Sequence, residues 1–127
     1  MSRARKTLGE SGEALAVEHL TKLGYRIIEK NFRSRLGEID IIAKQKNTIC
    51  FIEVKTRSDL KKGYPQEAIT KRKQHHLTRV ALGYLKENGL MDKSARFDVV
   101  SILKREDATP AIDIIKNAFY LDSHYIY

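Results

Sequence analysis

The 127-residue sequence is 42% hydrophobic and 31% charged, a globular mixture that excludes wholesale disorder and suits one domain over residues 1–127. Lys and Arg total 24 against 16 Asp and Glu, so the formal net charge of +8 favours anionic partners, nucleic acid first among them. A single cysteine, Cys50, excludes an internal disulfide and any cysteine zinc cluster, and no apolar run approaches the roughly 18 residues of a membrane span.

The amino-terminal stretch MSRARKTLGESGEA contains no apolar segment of the signal-peptide kind, so a cytoplasmic protein without membrane contact is expected, with residues 1–7 as a flexible basic tail. The first helix is expected from Leu8 to Leu23, stopped by Gly24. At helical spacing Gly9, Gly12, Ala16, Leu20 and Leu23 share one face, and the small residues there admit a neighbouring backbone. Glu13 sits at the edge of that face. It is either a solvated acid favouring the helix dipole or an acid leaning toward the interior.

Tyr25 to Phe32 reads as a strand, followed by the polar connection RSRLG. Ile39 to Lys44 and Thr48 to Lys55 form a hairpin about QKNT. Ile39, Ile41 and Ala43 are expected on one face and Ile42 on the other. In the partner strand Cys50, Ile52 and Val54 oppose Ile49 and Phe51, the pattern of central strands covered on both sides. After the basic loop TRSDLKKGY, Pro65 is expected to open a long helix running to about Asn88 and closed by Gly89. Its buried stripe comprises Ile69, Leu77, Val80, Ala81, Tyr84 and Leu85. Strands at Arg96 to Leu103 and Ala111 to Ile115 complete the order α-β-β-β-α-β-β, an α/β fold with a mixed sheet and a helix on each face.

Chemistry concentrates in the hairpin. A turn centred between Lys46 and Asn47 places Asp40 opposite Glu53, and strand periodicity returns Lys55 to the same patch. Two partly buried carboxylates repel, and a hard divalent cation such as Mg²⁺ would relieve them. Lys55 would then orient or activate a water. The plainer reading is a cross-strand salt bridge in which Lys55 neutralises Glu53 and Asp40 faces solvent.

The pattern Asp40…Glu53-Val54-Lys55 resembles the PD-(D/E)xK nuclease motif, with Ile39 in the place of its proline. More specifically, GESGEALA (9–16), GYRIIEKNFR (24–33), GEIDIIA (37–43), FIEVKTR (51–57), PQEAITKRKQ (65–74) and RFDVV (96–100) resemble the bacterial YraN-like family, related to archaeal Holliday-junction resolvases. That resemblance implies a restriction-endonuclease-like fold and an endonuclease dependent on Mg²⁺ or Mn²⁺. It implies catalytic roles for Glu13, Asp40, Glu53 and Lys55, with Asp40, Glu53 and the Val54 carbonyl as metal ligands and Glu13 as a further one. It also implies DNA, branched or otherwise structured, as substrate, and a homodimer, although no strip of residues declares an interface. The alternative is a nucleic-acid-binding protein whose nuclease-like site is inactive or regulated.

Arg33, Arg35, Arg57, Lys61, Lys62, Lys71, Arg72 and Lys73 are the candidate phosphate contacts. Lys73 falls on the inward line from Ile69 to Leu77, so it either reaches the phosphate beside the metal or snorkels past the core. His75 and His76, adjacent on a helix, diverge too far to share a metal and are read as surface or boundary residues. Tyr120, Tyr125 and Tyr127 are read as base-stacking or packing residues. Asp98 is expected to hold Arg96 or a nearby backbone group rather than to react.

Overall fold

Strands that are apolar on both faces need cover above and below, and two helices supply it. The computed structural model describes residues 3–58, 69–105 and 108–119, with the side chains of residues 3–11 outside that description. The elements are α1 (Arg3–Lys22), β1 (Arg26–Ser34), β2 (Gly37–Gln45), β3 (Thr48–Arg57), α2 (Lys71–Glu87), β4 (Ser94–Arg105) and β5 (Ala108–Phe119). Their order is the expected one, and they form a five-stranded mixed sheet ordered β1-β2-β3-β4-β5. Only β3 and β4 run parallel, as their α2 crossover requires; the other neighbours are antiparallel.

One core lies under α2, where Ile39, Ile42, Ile49, Phe51 and Phe97 meet Leu77, Val80, Ala81, Tyr84 and Leu85. The other lies under α1, where Ala16 and Leu20 cover Ile41, Ala43, Cys50, Ile52, Val100 and Ile102. Each large aliphatic side chain enclosed there contributes about 1.5–3 kcal/mol. The β3 faces are as expected. In β2, however, Ile39 joins Ile42 on the α2 side instead of Ile41 and Ala43. The strand is irregular at the intervening Asp40: across from it in β1, Asn31 stands at φ 53° between Lys30 and Phe32, which pair with Ile41 and Ile39.

Two helix boundaries differ from expectation. α1 begins at Arg3, and Leu23, expected in the buried stripe, is 51% exposed. The helix ends at Lys22 and the chain reverses at Gly24 (φ 91°), which carries Leu23 off the apolar face. α2 begins at Lys71, not Pro65: Thr70 takes the N-cap position, with its hydroxyl accepting from the Lys73 N–H at 3.2 Å. Pro65 itself lies outside the described residues. Ile69 precedes the helix yet packs against the α2-side core, and Thr78 joins the expected stripe, its hydroxyl donating to the Gln74 carbonyl.

Asp98 is almost fully buried and is held from several directions. Arg96 Nε donates to both of its oxygens, at 3.0 and 3.1 Å, the Tyr25 hydroxyl donates at 3.0 Å, and the Asn117 N–H donates at 2.9 Å. Arg96 also donates to Gln45 and to the Tyr25 hydroxyl, so β2, β4, β5 and the residue preceding β1 are tied by one polar network. Burial, then the Asp98 charge, pushes the Tyr25 phenol up to about 12.

Gly12 determines how closely α1 approaches the sheet. A Cβ at this position would lie 2.1 Å from Thr56 Oγ1 on β3, well inside van der Waals contact. Gly12→Ala should therefore destabilise the protein by about 1–3 kcal/mol in urea denaturation. Thr56→Ala in the same chain should recover most of that loss; an equal loss in single and double variants would show that the close approach is not the cause.

Candidate active site

The hairpin follows the expected register from Gln45↔Thr48 to Ile41↔Ile52, and the ladder stops one residue short of Asp40 and Glu53. There the Asp40 carboxylate accepts a 2.8 Å hydrogen bond from the Val54 N–H. A side chain thus takes the amide that the next rung of the ladder would have used, and the two strands part around it.

Glu53 lies beside this fork with its side chain only 12% exposed. One of its oxygens, Oε1, carries two ammonium groups: Lys55 at 3.5 Å from the same strand and Lys73 at 3.2 Å from the first turn of α2. Lys73 thus directs its amine to Glu53, a partner the sequence alone does not indicate. The cross-strand salt bridge is present too, but Asp40 does not face solvent: it is half-buried and bonded to the backbone. α1 brings Glu13, also half-buried, near enough for its charge to act on Asp40.

These neighbours have electrostatic consequences. Burial, then the charge of Glu53, pushes the Asp40 carboxyl up from its ordinary 3.8 to about 7. Glu13 adds to the rise, while the Val54 N–H and Lys55 oppose it. Burial and then the adjoining Lys73 amine hold Lys55 below the ordinary ammonium range, against the pull of Glu53. For Lys73 burial acts downward, but contact with Lys55 and Glu53 outweighs it and raises the group. The two groups are thus shifted in opposite directions, the Asp40 carboxyl upward and the Lys55 amine downward.

Oxygen donors at the fork suit a hard cation rather than zinc. Among the described residues no three His, Cys, Asp or Glu side chains cluster as a complete metal cage. Two carboxylates, supplemented by a backbone carbonyl and water, match the usual demand of Mg²⁺. The desolvated, mutually repelling carboxylates are the feature that fits such an ion, because a dication removes the cause of Asp40's reluctance to ionise.

The outer basic residues are distributed more loosely. Lys71 and Arg72 are exposed at the start of α2. Arg33 is exposed and paired with Glu38 at 3.3 Å, and Arg35 is exposed on the β1–β2 turn. That turn leans on α2 through Gly37 (φ 142°), where a Cβ would lie 2.4 Å from His76 Nε2. Arg57 falls two residues beyond Lys55, and its buried Nε has no hydrogen-bond partner among the described residues. Lys61 and Lys62 lie outside the described residues, as do Tyr120, Tyr125 and Tyr127. His75 is half-buried and His76 exposed, as their boundary reading requires.

Three contributors carry no signal in the sequence. The Val54 N–H has no residue-type signature at all. The Gln45 and Tyr25 partners of the Arg96–Asp98 pair are distant in sequence, and only the buried aspartate in RFDVV hinted that partners were needed. No helix among the described residues is long and apolar enough to cross a membrane.

Residues 12–102 match the model of a family described as Uncharacterised protein family UPF0102. A UPF0102 protein of Caldicellulosiruptor saccharolyticus is 52% identical over 116 residues, covering 91% of this chain and 98% of that protein. Another, from Trichlorobacter lovleyi, is 46% identical over 122 residues, covering 95% and 96%. Among solved structures, that of Archaeoglobus fulgidus Hjc, a Holliday junction resolvase from an archaeal hyperthermophile, is similar with a TM-score of 0.47 and 22% identity, covering 82% of this chain and 74% of that one.

Asp40 also sets a pH dependence of stability. Its folded pKa lies above the unfolded value, so between about pH 4 and 7 the folded state binds the extra proton and stability falls as pH rises. Asp40→Asn keeps an acceptor for Val54 but cannot ionise. In chelator, its stability relative to wild type should therefore improve by about 2 kcal/mol from pH 5 to pH 8 in urea titrations. A difference independent of pH would contradict the burial assigned to this carboxyl.

Proposed function

The chain belongs to the UPF0102 family, and from that premise we propose that it is a metal-dependent nuclease that hydrolyses phosphodiester bonds in DNA, structured or branched forms included. The observation that carries this reading is the strand fork, where Asp40 and Glu53 converge half-buried with Lys55 and Lys73 beside them. Burial and the neighbouring charge of Glu53 raise the Asp40 carboxyl on a rigid strand, a pattern that clusters at functional sites.

In this reading Asp40, Glu53 and the Val54 carbonyl hold Mg²⁺ or Mn²⁺, and Glu13 from α1 supplies a further carboxylate. The bound ion contributes Lewis acidity, withdrawing charge from a phosphoryl oxygen and lowering the pKa of a water. Lys55, held by Glu53 at 3.5 Å, would orient that water. The strands that carry these groups keep them in fixed relation, which is what in-line attack demands.

The basic residues supply the binding surface. The first turn of α2 contains no acid and opens with Lys71, Arg72 and Lys73, although the positive end of the helix dipole disfavours cations there. A sequence that accepts this cost gains a concentrated anion-attracting edge next to the fork. Arg33, Arg35 and Arg57, together with Lys61 and Lys62, extend it along the backbone of a nucleic acid, with salt-sensitive and largely sequence-independent contacts.

The second reading, a nucleic-acid-binding protein whose site is idle or regulated, is favoured by one feature: Glu53 is already paired with two ammonium groups. Incubation with linear, single-stranded, flapped and four-way-junction DNA and with structured RNA, in Mg²⁺ or Mn²⁺, separates the two. Cleavage is expected, with Asp40→Ala reducing it by at least about a hundredfold. Binding without cleavage of any substrate, in either metal, would favour the second reading.

A further inference from the structure

The two lysines on Glu53 are not equivalent. Lys55 projects from β3 two residues away and is 18% exposed, so its reach is restricted to the fork. Lys73 arrives on a long side chain from another element, α2, and is 35% exposed. Both amines approach the same oxygen, Oε1. One carboxylate therefore already carries two cations, and a divalent ion on Glu53 would be a third. At separations of a few ångströms in a half-buried site, that crowding is strongly unfavourable unless a cation leaves or an anion arrives.

Resting on the nuclease reading above, we propose that Lys73 is an exchangeable counterion: it occupies Glu53 in the metal-free protein and moves to a substrate phosphate when the divalent ion binds. Lys55 stays with the fork, and Lys73 is the cation that exchanges. Metal alone has to displace an ammonium from Glu53. Metal accompanied by a phosphodiester gives that ammonium a new partner. Ion and polynucleotide consequently bind cooperatively, each raising the affinity of the other by the same factor. The arrangement weakens the site for free divalent ions and strengthens it when DNA is present. It also reconciles a neutralised Glu53 with an active enzyme.

Lys73 is a positioning residue in this scheme, and its test is a binding measurement. Mn²⁺ is titrated calorimetrically into wild type, Lys73→Met, Lys73→Arg and Asp40→Ala, and duplex affinity is measured without divalent ions and in Ca²⁺. Lys73→Met, which keeps the apolar stem, should bind Mn²⁺ roughly tenfold more tightly than wild type because a competing charge is gone. Lys73→Arg should stay near wild type, and Asp40→Ala should take up none. The gain in duplex affinity on adding Ca²⁺ should shrink several-fold in Lys73→Met. Equal or weaker Mn²⁺ binding by Lys73→Met, or an unchanged Ca²⁺ gain, would overturn the exchange while leaving the nuclease reading intact. Absence of Mn²⁺ uptake by wild type and Lys73→Met alike would remove the metal site, and the nuclease reading with it.

Discussion

The site depends on a single hydrogen bond, from the Val54 N–H to the Asp40 carboxylate. It forms where the β2–β3 ladder stops, and it lets the strands separate without leaving that amide unpaired. The carboxylate enters the gap between the strands instead of standing on one face. Glu53, Lys55 and Lys73 can then surround the same small volume from the sheet and from α2, while α1 approaches from the other side. Gly12 makes that last approach possible by giving Thr56 room.

A second aspartate does the same structural work with the opposite electrostatic result. The β4–β5 ladder shifts near Asp98, and Asn117 opposite adopts φ 53°. Its N–H goes to Asp98, as that of Val54 goes to Asp40. Asp98, however, also receives Arg96 on both oxygens and the Tyr25 hydroxyl, so its burial is compensated within the protein. Among the described residues no such arginine bonds Asp40, which instead faces the charges of Glu53 and Glu13. One break in the sheet is closed by a complete network; the other is left in need of a positive charge. Functional sites tend to be places where such local consistency is withheld.

The two lysines on Glu53 give the metal-free protein a provisional solution to that need. Both are organic cations held by long side chains, and neither satisfies Asp40 fully, as its raised pKa attests. The basic start of α2 places more positive charge close by, against the preference of the helix dipole. Local stability has been exchanged for attraction toward anions beside the end of the β2–β3 ladder.

Much of this was determined by sequence alone. Period-two alternation on both faces of the hairpin required a covered central sheet, and glycines at 24 and 89 marked where the helices stop. The spacing of Glu53 and Lys55 keeps those two charges together on β3, as strand periodicity requires, whereas Asp40 meets them beyond the end of the ladder and not through a direct pair with Glu53. Tertiary structure decided what periodicity cannot express. Ile39 lies on the α2 side because β2 does not alternate strictly between Ile39 and Ile42, and the start of α2 was set by the Thr70 cap instead of by Pro65. The pairing of Lys73 with Glu53, the donation from Val54 and the gathering of Tyr25, Gln45, Arg96 and Asn117 around Asp98 all join distant positions. Local pattern fixes which way a side chain leaves its own element, but which charge it meets depends on how separate elements pack, and that is a property of the assembled sheet and helices.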